Sequence, residues 1–539
     1  MSKDIKIDVE ARDGIVKGIN TVADVVKTTV GPRGRNVLIR NNISAPIITN
    51  DGVTIAKAIQ LKDNTEDAGA QLIIQAANQT NEIAGDGTTT TTILAQSLIK
   101  NYYAMATDET NAIQTRNEMI EASNEISDYL KSIATPIKSN ADLERVATVS
   151  SGNPATGKLL AQAFEQAGEY GSVIVEDSSL GKDDLISIQG MKLTNGSVSP
   201  YIMNDRINQK TDMVDVSVLI TKDRLDSVVD FFKVLDYCFN SGKKLLVICD
   251  EIESEPLNMV MMNRAQGRLS NIAIIRLPGF GDLREKLVED ICIATGATLF
   301  GRENGLTLKD FDPMYLGELE QAIITMDDSV LKFKDVKSTG ELLVNERHTR
   351  VAELEMQLEN AKNEDKTQFE RRIANLTSGI AIVQVGGNSD VEIKEKKLRI
   401  EDAINAIQSA KEEGIVPGGG YSFLMAYMNA LGKTLPFGAT VVYKSLISIT
   451  KQIAENCGKD GNEVVQACID MEQGYNAITN TYEDLMQTGV INSVKVDRYG
   501  LINATSVAAT AITLGSSIVE ENEPDHNVLQ LQTPLSTLM

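Results

Sequence analysis

The sequence predicts a multidomain chain in which a mainly helical part, built from both ends, is split by an α/β insertion. Near both ends, apolar residues recur every three or four positions, as on one face of a helix: Ile15, Ile19, Val22 and Val26, and later Ile400, Ile404 and Ile407. The middle, roughly from Gly190 to Gly379, alternates short apolar runs with amphipathic helices, which is typical of α/β folds. The 539 residues, 42% of them hydrophobic, are enough for about two to four domains.

The elements follow in chain order. The first part is predicted to be helical, with glycine turns at Gly31-Pro32 and Asp51-Gly52. In the middle, short apolar runs predict strands at Val216–Thr221, Lys244–Cys249, Asn271–Leu277 and Ile380–Val385. The charge-rich segment Glu341–Leu376 predicts a helical hairpin, most simply a solvated cover. Gly190 and Gly386-Gly387 are predicted hinges between the helical part and the insertion.

Composition excludes several classes of function. The net charge of -23 disfavours nucleic acid and anionic membranes as partners. Five cysteines without a CxxC pair predict reduced thiols, and only two histidines nearly exclude a histidine-based triad or metal site. Residues 1–6 have no apolar signal core, and no apolar run approaches membrane-spanning length, so a cytoplasmic location is expected.

The segment Gly85–Thr92 is the strongest candidate for chemistry. An Asp-Gly pair precedes five threonines and a helical apolar stripe. A helix start leaves free N–H groups and a positive dipole end, which together attract phosphate. Threonine hydroxyls would add donors, and Asp86 could hold the magnesium that accompanies a nucleotide. The alternative is a helix start without a ligand, but a threonine run favours neither helix propensity nor packing.

Four other segments could complete such a site, since neither a Walker A motif nor GxGxxG occurs. Thr28–Asn36 and Thr49–Gly52 are tight turns, the second with the carboxylate of Asp51, although turn stabilisation would explain each alone. Asp402 lies off the apolar stripe of its helix, where a solvated surface acid is the simpler interpretation. Pro417–Gly420 allows close backbone approach, or is a linker. Asp51 and Asp402 are candidates to orient an attacking water.

Two helices of the middle region are too apolar for ordinary surface elements. Their stripes are Val228, Phe232, Leu235 and Phe239, and Leu257, Val260, Met261 and Met262. Burial against the sheet explains most such stripes. However, neighbouring helical residues point about 100° apart, so one core face cannot easily bury both members of the pairs Phe231-Phe232 and Met261-Met262. Exposed methionine-rich surface suits promiscuous apolar binding.

At this point the chain resembles the group I chaperonins (GroEL type). The motifs that carry the resemblance keep the family's order and spacing over nearly the whole chain: residues 29–36 (TVGPRGRN), 49–53 (TNDGV), 85–90 (GDGTTT), 278–282 (PGFGD), 395–397 (EKK) with 401–403 (EDA), and 418–420 (GGG). The resemblance implies an equatorial ATPase domain (1–132 and 413–539), an intermediate hinge domain (133–189 and 379–412) and an α/β apical domain (190–378). It also implies a heptameric ring, single or double, that encloses non-native protein.

The resemblance implies the following roles at an ATP site. Thr29, Val30, Gly31 and Pro32 would wrap the nucleotide beside Asn50. Asp86 would bind Mg2+, with Gly87, Thr88, Thr89 and Thr90 on the phosphates. Asp51 and Asp402 would position or activate the hydrolytic water, with Asp402 brought in by closure of the hinge domain. Gly419, Asn476, Ala477, Ile478 and Asn492 would contact the nucleoside. Unfolded chains and a lid-like co-chaperonin would bind Tyr201, Ile202, Phe232, Leu235, Leu257, Met261 and Met262.

The sequence departs from the family pattern at several positions. Asn50 replaces the usual lysine before the Asp-Gly turn, which removes a positive charge and leaves a K+ requirement open. Asn492 replaces the ribose-binding acid and bonds less strongly than a carboxylate. Ala104 replaces a lysine used between rings, from which we expect weakened ring–ring contact. An ATP-driven folding chaperonin is the leading function, with a passive holdase ring or a nucleotide-dependent structural ring as alternatives.

Overall fold

The computed structural model describes residues 3–40, 46–168, 171–178, 181–205, 209–269, 271–334, 341–360, 363–377 and 379–520. The chain forms two units. The first comprises Met1–Ala161, Asp177–Lys182 and Val385–Met539, and the second comprises Gln162–Glu176 and Asp183–Gln384. The predicted architecture, both ends in one body and the middle in another, is therefore confirmed. The three-domain boundaries stay a prediction, because most of the expected hinge domain (133–161 and 385–412) groups with the first unit.

The N-terminal segment is mainly helical, as its apolar spacing predicts. Its elements are β1 (Lys3–Ile7), α1 (Asp8–Val26), β2 (Val37–Ile39), β3 (Ile47–Thr49), α2 (Gly52–Lys57), α3 (Asn64–Ala84), α4 (Thr88–Met105), α5 (Ala112–Ser132), α6 (Asn140–Ser151) and α7 (Pro154–Ala167), the last of which continues into the second unit. The predicted stripe from Ile15 to Val26 is buried, and α1 packs along α3.

The second unit is built around a mixed sheet. Its elements are β4 (Val173–Asp177), β5 (Asp184–Leu193), β6 (Thr211–Thr221), α8 (Val228–Ser241), β7 (Lys244–Cys249), α9 (Ser254–Ala265), β8 (Ile272–Arg276), α10 (Gly281–Thr295), β9 (Leu299–Phe300), β10 (Gly317–Ile324), β11 (Ser329–Lys332), α11 (Glu341–Asn360), α12 (Asn363–Thr377) and β12 (Gly379–Val385). The strand order is β4-β12-β5-β11-β10-β6-β7-β8, with β9 beside β6. Strands β6, β7 and β8 run parallel, because α8 and α9 provide the crossovers. All four predicted strands are confirmed, with end differences of a few residues.

The predicted helical hairpin is confirmed as α11 and α12, but it is more than a solvated cover. Asp290 on α10 is buried and accepts hydrogen bonds from Arg372 (2.6 and 2.8 Å) and Arg350 (3.0 Å). The hinge prediction at Gly190 is wrong. This glycine lies inside β5, where a Cβ would be 2.5 Å from the Leu331 carbonyl oxygen of the paired strand.

The C-terminal segment returns to the first unit. Its elements are α13 (Asp390–Glu413), β13 (Ile415–Pro417), α14 (Tyr421–Ala430), α15 (Phe437–Ser445), α16 (Ser448–Asn456), α17 (Gly461–Met471), β14 (Gly474–Asn476), β15 (Thr481–Glu483), α18 (Leu485–Thr488), β16 (Ile491–Ser493), α19 (Val494–Ala511) and β17 (Ser516–Glu520). Strand β17 pairs antiparallel with β1, and α19 packs on α3, α4 and α5, so both chain ends share one apolar core. Within the described ranges, no helix has the length and apolar character needed to cross a membrane.

Candidate functional site

The Gly85-Asp86-Gly87 turn connects α3 to α4 with two left-handed glycines. Gly85 has φ +68° and Gly87 has φ +89°, a conformation that side chains with a Cβ rarely adopt. Space is also restricted, since a Cβ on Gly85 would lie 2.3 Å from the Asn405 Cβ. The two glycines therefore allow a turn tight enough to expose the start of α4.

The start of α4 presents unused donors. Its first intrahelical bond runs from the Thr91 N–H to the Gly87 carbonyl (2.9 Å), so the N–H groups of residues 88–90 point out of the helix end. The hydroxyls of Thr91 and Thr92 bond back to the carbonyls of residues 87 and 88. By contrast, the part of the chain that the structure describes contains no partner for the hydroxyls of Thr88 and Thr90. This helix end has the donors and the dipole that an anion requires.

Two other predicted segments meet α4 at this point. A Cβ on Gly52 would lie 2.6 Å from Thr88 Oγ1 and 2.8 Å from Thr89 Oγ1, so the Asp51-Gly52 turn touches the helix start. The Thr29 hydroxyl lies 3.5 Å from the Thr89 hydroxyl. The threonine run, the Asp51 turn and the Thr28–Asn36 turn, which are far apart in the sequence, thus converge on one spot.

Asp51 both stabilises its turn and contributes negative charge to the site, which are the two roles that the sequence allows. It is the N-cap of α2, where its carboxylate accepts from the N–H groups of Val53 (3.1 Å) and Thr54 (2.9 Å). Its charge also acts on its surroundings, because it raises the pKa of both Asp86 and Asp402. Asn50, just before it, is partly buried at the end of β3.

Asp402 is brought to the same spot by α13. The Ser409 hydroxyl donates to the Ala84 carbonyl (2.6 Å), and the Asn405 amide donates to the Gly85 carbonyl (3.3 Å), which holds α13 against the turn. Burial and the negative charges of Asp86 and Asp51 raise the pKa of Asp402 well above its ordinary value. The interpretation of this residue as a solvated surface acid is therefore wrong.

Asp86 directly precedes the N-cap of α4, and it is close enough to Asp51 and Asp402 for the charges to interact. It accepts hydrogen bonds from its neighbour's N–H, at Gly87, and from the Ser150 hydroxyl (3.1 Å). Burial, and to a smaller degree the charge of Asp51, raises the pKa of Asp86. Across the described ranges, no Lys, Arg or His forms an ion pair with Asp51, Asp86 or Asp402. Three carboxylates without a cation make a site of unbalanced negative charge.

The donor set fits a magnesium ion that arrives with phosphate. Among the residues that the structure describes, no group of three or more His, Cys, Asp or Glu side chains is arranged to hold a metal by itself. Mg2+ in nucleotide sites usually takes one or two carboxylates, phosphate oxygens and waters. Asp86 offers that single carboxylate. It interacts with the charges of Asp51 and Asp402 and directly precedes the free N–H groups at the start of α4.

The Thr28–Asn36 turn is fixed from the C-terminal segment. The Asn456 amide donates to the carbonyls of Lys27 and Val30 (both 2.9 Å), and the Arg35 N–H bonds to the Thr28 carbonyl (2.9 Å). The Thr29 side chain is buried, whereas Gly31 and Pro32 are exposed. The turn therefore presents its Val30–Pro32 backbone at the surface of the first unit.

The segments predicted to contact a nucleoside also meet. Strand β13 leads into the glycine turn and pairs with β16, which places Asn492 opposite Val416. A Cβ on Gly419 would lie 3.6 Å from the Tyr475 carbonyl oxygen, next to Asn476. Ala477 is buried and Ile478 is 70% exposed. The Asn476 side chain is engaged internally, accepting from the Ile478 N–H (2.9 Å) and donating to Glu483 (2.6 Å).

Sequence reasoning missed a buried acid, Asp497. It accepts hydrogen bonds from the Ser422 hydroxyl (2.6 Å) and the Asn492 amide (2.6 Å). Burial, with a smaller contribution from the charge of Asp86, raises its pKa to about 7. The available signal was its spacing, since Val494, Asp497 and Leu501 share the buried face of α19. Ser150 and Asn405, which hold Asp86 and the Gly85 turn, gave no such signal.

The predicted binding residues of the second unit divide into two groups. Tyr201, Phe232 and Met262 are 67%, 53% and 62% exposed. Leu257 and Met261 are partly buried. Ile202 and Leu235 are 1% and 3% exposed and belong to the apolar core under α8, so the expectation that they present binding surface is wrong for this structure. As expected for adjacent helical residues, Phe231 is buried where Phe232 is exposed.

Comparison with known proteins gives a consistent result. The sequence profile of the TCP-1/cpn60 chaperonin family matches residues 22–522. Among solved structures, the chain is similar to the chaperonin gp146 from the bacteriophage EL 2 (Pseudomonas aeruginosa), crystallised in the presence of ATP-BeFx. For crystal form II the TM-score is 0.72 at 20% identity, covering 96% of this chain and 99% of that chain. For crystal form I the TM-score is 0.65 at the same identity and coverage. At this identity the likeness shows the fold.

Proposed function

Because this chain belongs to the TCP-1/cpn60 chaperonin family, we propose that it is an ATP-driven chaperonin that binds non-native proteins and promotes their folding. The observation that carries the ATPase part is the convergence of Asp51, Asp86 and Asp402 on the open start of α4. Such an arrangement suits a phosphate chain with its metal ion better than any other ligand class. The chaperonin gp146, crystallised with ATP-BeFx, supports nucleotide binding in this fold.

The proposed reaction is hydrolysis of ATP to ADP and phosphate. The N–H groups of residues 88–90 and the hydroxyls of Thr88, Thr89 and Thr90 would hold the phosphate oxygens, and Asp86 would hold Mg2+. Magnesium, when bound, neutralises charge on the phosphate oxygens. Asp51 and Asp402 orient the attacking water, and Asp402 accepts its proton as the water oxygen bonds to the terminal phosphorus. The bond from that phosphorus to the bridging oxygen breaks, and ADP leaves with the bonding electron pair. Its raised pKa makes Asp402 a stronger base than an ordinary carboxylate.

The other predicted segments would contact the nucleoside and the side of the phosphates that faces away from α4. Thr29 to Pro32 and Asn50 flank the phosphates. Gly419, Asn476 to Ile478 and Asn492 line the nucleoside end. The Asn476 side chain already bonds to Ile478 and Glu483. It would therefore help to bind the nucleoside indirectly, by holding the backbone of residues 476–478 in place.

The proposed client surface is the exposed apolar group of the second unit. Tyr201, Phe232 and Met262 are large, apolar and exposed, and methionine adapts to varied partners. Leu257 and Met261 extend this group. The same surface would bind a co-chaperonin.

Coupling between hydrolysis and movement would run through α13. This helix carries Asp402, and its contact with the Gly85 turn depends on the hydrogen bonds of Ser409 and Asn405. Shifting α13 would add or remove the catalytic acid. We further propose the three-domain division given above, a cytoplasmic heptameric ring, and single rings as a populated form. Native mass measurement that finds only double rings, with and without ATP, would reject the last point.

Replacing Asp402 by Ala tests the ATPase proposal. The variant should bind ATP as the wild type does but hydrolyse it about 10²–10⁴-fold more slowly, the usual contribution of a general base. Gln408→Ala, an exposed position on the same helix, is the matched control and should keep normal turnover. Normal turnover in Asp402→Ala would remove Asp402 from the mechanism. A wild type that binds no ATP would reject the proposal itself.

A further inference from the structure

Asp497 is a buried acid whose presence the proposed reaction does not explain. It is 3% exposed in the first turn of α19, and within the described residues no cationic side chain pairs with it. The adjacent Arg498 is engaged elsewhere, donating to Ser127 (2.9 Å) and Glu413. A buried carboxylate without a cation is unfavourable unless hydrogen bonds or a function compensate.

The surroundings of Asp497 are all parts of the proposed nucleotide site. Just before it, Val496 packs on the phosphate turn, since a Cβ on Gly87 would lie 2.6 Å from Val496 Cγ1. Ser422 lies on α14, directly after the glycine turn. Asn492 lies on β16, opposite the strand that enters that turn. The Asp497 carboxylate therefore bonds to two residues of the nucleoside end, while its neighbour Val496 contacts the Gly87 turn.

The hydrogen bonds of Asn492 determine what this side chain can offer to a ligand. Its Oδ1 accepts from the Ser493 N–H (3.0 Å), and its Nδ2 donates to Asp497 Oδ1 (2.6 Å). The Ser493 N–H fixes this orientation, because it can only donate and therefore faces the amide oxygen, which leaves the amide nitrogen to donate to Asp497. The amide nitrogen carries a second hydrogen, and the residue is only partly buried. What remains available is therefore one N–H donor, which a carboxylate lacks, beside one lone pair of Oδ1.

We propose that Asp497 is a positioning residue that directs the second N–H of Asn492 toward the nucleoside, so that the site can bind an acceptor oxygen there. A carboxylate at position 492 would require the opposite, a ligand hydroxyl that donates. The inference rests on the proposed function, because it takes the ligand to be a nucleotide. It goes further by assigning a role to Asp497 and a direction to the hydrogen bond.

The exchange variant Asn492→Asp/Asp497→Asn should reverse the preference. In it, the amide at 497 can donate to the carboxylate at 492, and the Ser422 hydroxyl can donate to the amide oxygen at 497. The pair keeps its bond, but position 492 now presents an acceptor. Asn492→Asp alone should bind nucleotide poorly, because two carboxylates would replace a 2.6 Å donor–acceptor pair.

The experiment is calorimetric titration of the full chain with Mg-ATP and its 2′- and 3′-deoxy and 2′- and 3′-O-methyl analogues. Deoxy analogues lack the oxygen, whereas O-methyl analogues can accept but not donate. In the wild type, one deoxy analogue should bind about tenfold more weakly than ATP, the effect of one hydrogen bond, while its O-methyl counterpart binds more tightly than the deoxy form. In the exchange variant, the O-methyl analogue should lose this advantage. Because the same O-methyl analogue is compared in the wild type and in the exchange variant, the steric effect of its methyl group is common to both and cancels.

Controls separate the possible failures. Ser506→Ala, exposed on the same helix, should leave all affinities unchanged, and thermal melts report whether each variant folds. If the wild type binds ATP but the ranking of analogues is the same in the exchange variant, the role of Asp497 is refuted and the proposed function stands. If the wild type binds no nucleotide, the proposed function fails first.

Discussion

The burial of Asp497 predicts a specific dependence of stability on pH. Burial raises the pKa of this carboxyl from 3.8 to about 7 in the folded chain. Between these values the folded state holds a proton that the unfolded state has lost. Stability therefore falls as pH rises from about 4 to about 7, and below about 4 the group contributes nothing, because both states are protonated.

The size of the effect follows from the same numbers. A pKa raised by about three units, at about 1.4 kcal/mol per unit, amounts to about 4 kcal/mol of lost stability above pH 7. Asp497→Asn removes the titrating group and can keep both hydrogen bonds, since the amide oxygen can accept from Asn492 and its nitrogen can donate to Ser422. The variant should be more stable than the wild type at pH 8 by up to that amount, and equal to it near pH 4.

Urea unfolding of the nucleotide-free protein at pH 4.5, 6 and 8 measures this difference. Asp128→Asn, an exposed acid on α5, is the control and should change little at any pH. If Asp497→Asn is no more stable than the wild type at pH 8, or if the difference does not grow between pH 4.5 and 8, the carboxyl is not a buried and strained acid. The reasoning about the site would then be wrong at this residue.

Three further predictions follow from the packing. Gly85→Ala forces a Cβ to 2.3 Å from that of Asn405 at a left-handed φ, so it should weaken ATP binding at least tenfold, and unchanged affinity by titration would contradict the tight-turn argument. Asp290→Ala removes the acid that pairs with the buried Arg372 and one of three acids that pair with Arg350, so it should destabilise the second unit by about 3–5 kcal/mol in urea unfolding, whereas a change below about 1 kcal/mol would mean that the hairpin is not anchored there. Replacing Phe232 and Met262 together by Ser should reduce capture of a denatured client with ATPase turnover unchanged, and full capture would exclude this surface.

Much of the fold was predictable because its signals are local. The stripe from Ile15 to Val26 has the helical period, and the apolar run Lys244–Cys249 has the short length of a buried strand, next to the helix-ending Gly242. The Gly85–Thr92 segment was predictable for the same reason, since a helix start after Asp-Gly is fixed by neighbouring residues.

The residues that were missed or misplaced depend on contacts between distant segments. Asp402 looked like a surface acid because its burial comes from the Gly85 turn, over three hundred positions earlier in the chain. Gly190 has the composition of a hinge, but the paired strand β11 decides its conformation. Leu235 was assigned to the wrong face of α8, because the buried stripe, Phe231, Val234, Leu235 and Cys238, is set by the sheet beneath.

Refolding of a denatured client by the full chain tests the central claim most directly. Recovery of active client is measured with ATP, with a non-hydrolysable analogue and without nucleotide, for the wild type and for Asp402→Ala. An ATP-driven chaperonin restores the client only with ATP and only in the wild type. Suppressed aggregation that is the same in all three conditions would indicate a passive holdase, and no effect on the client in any condition would indicate a structural ring. Either result would contradict the proposal that hydrolysis at Asp51, Asp86 and Asp402 drives folding.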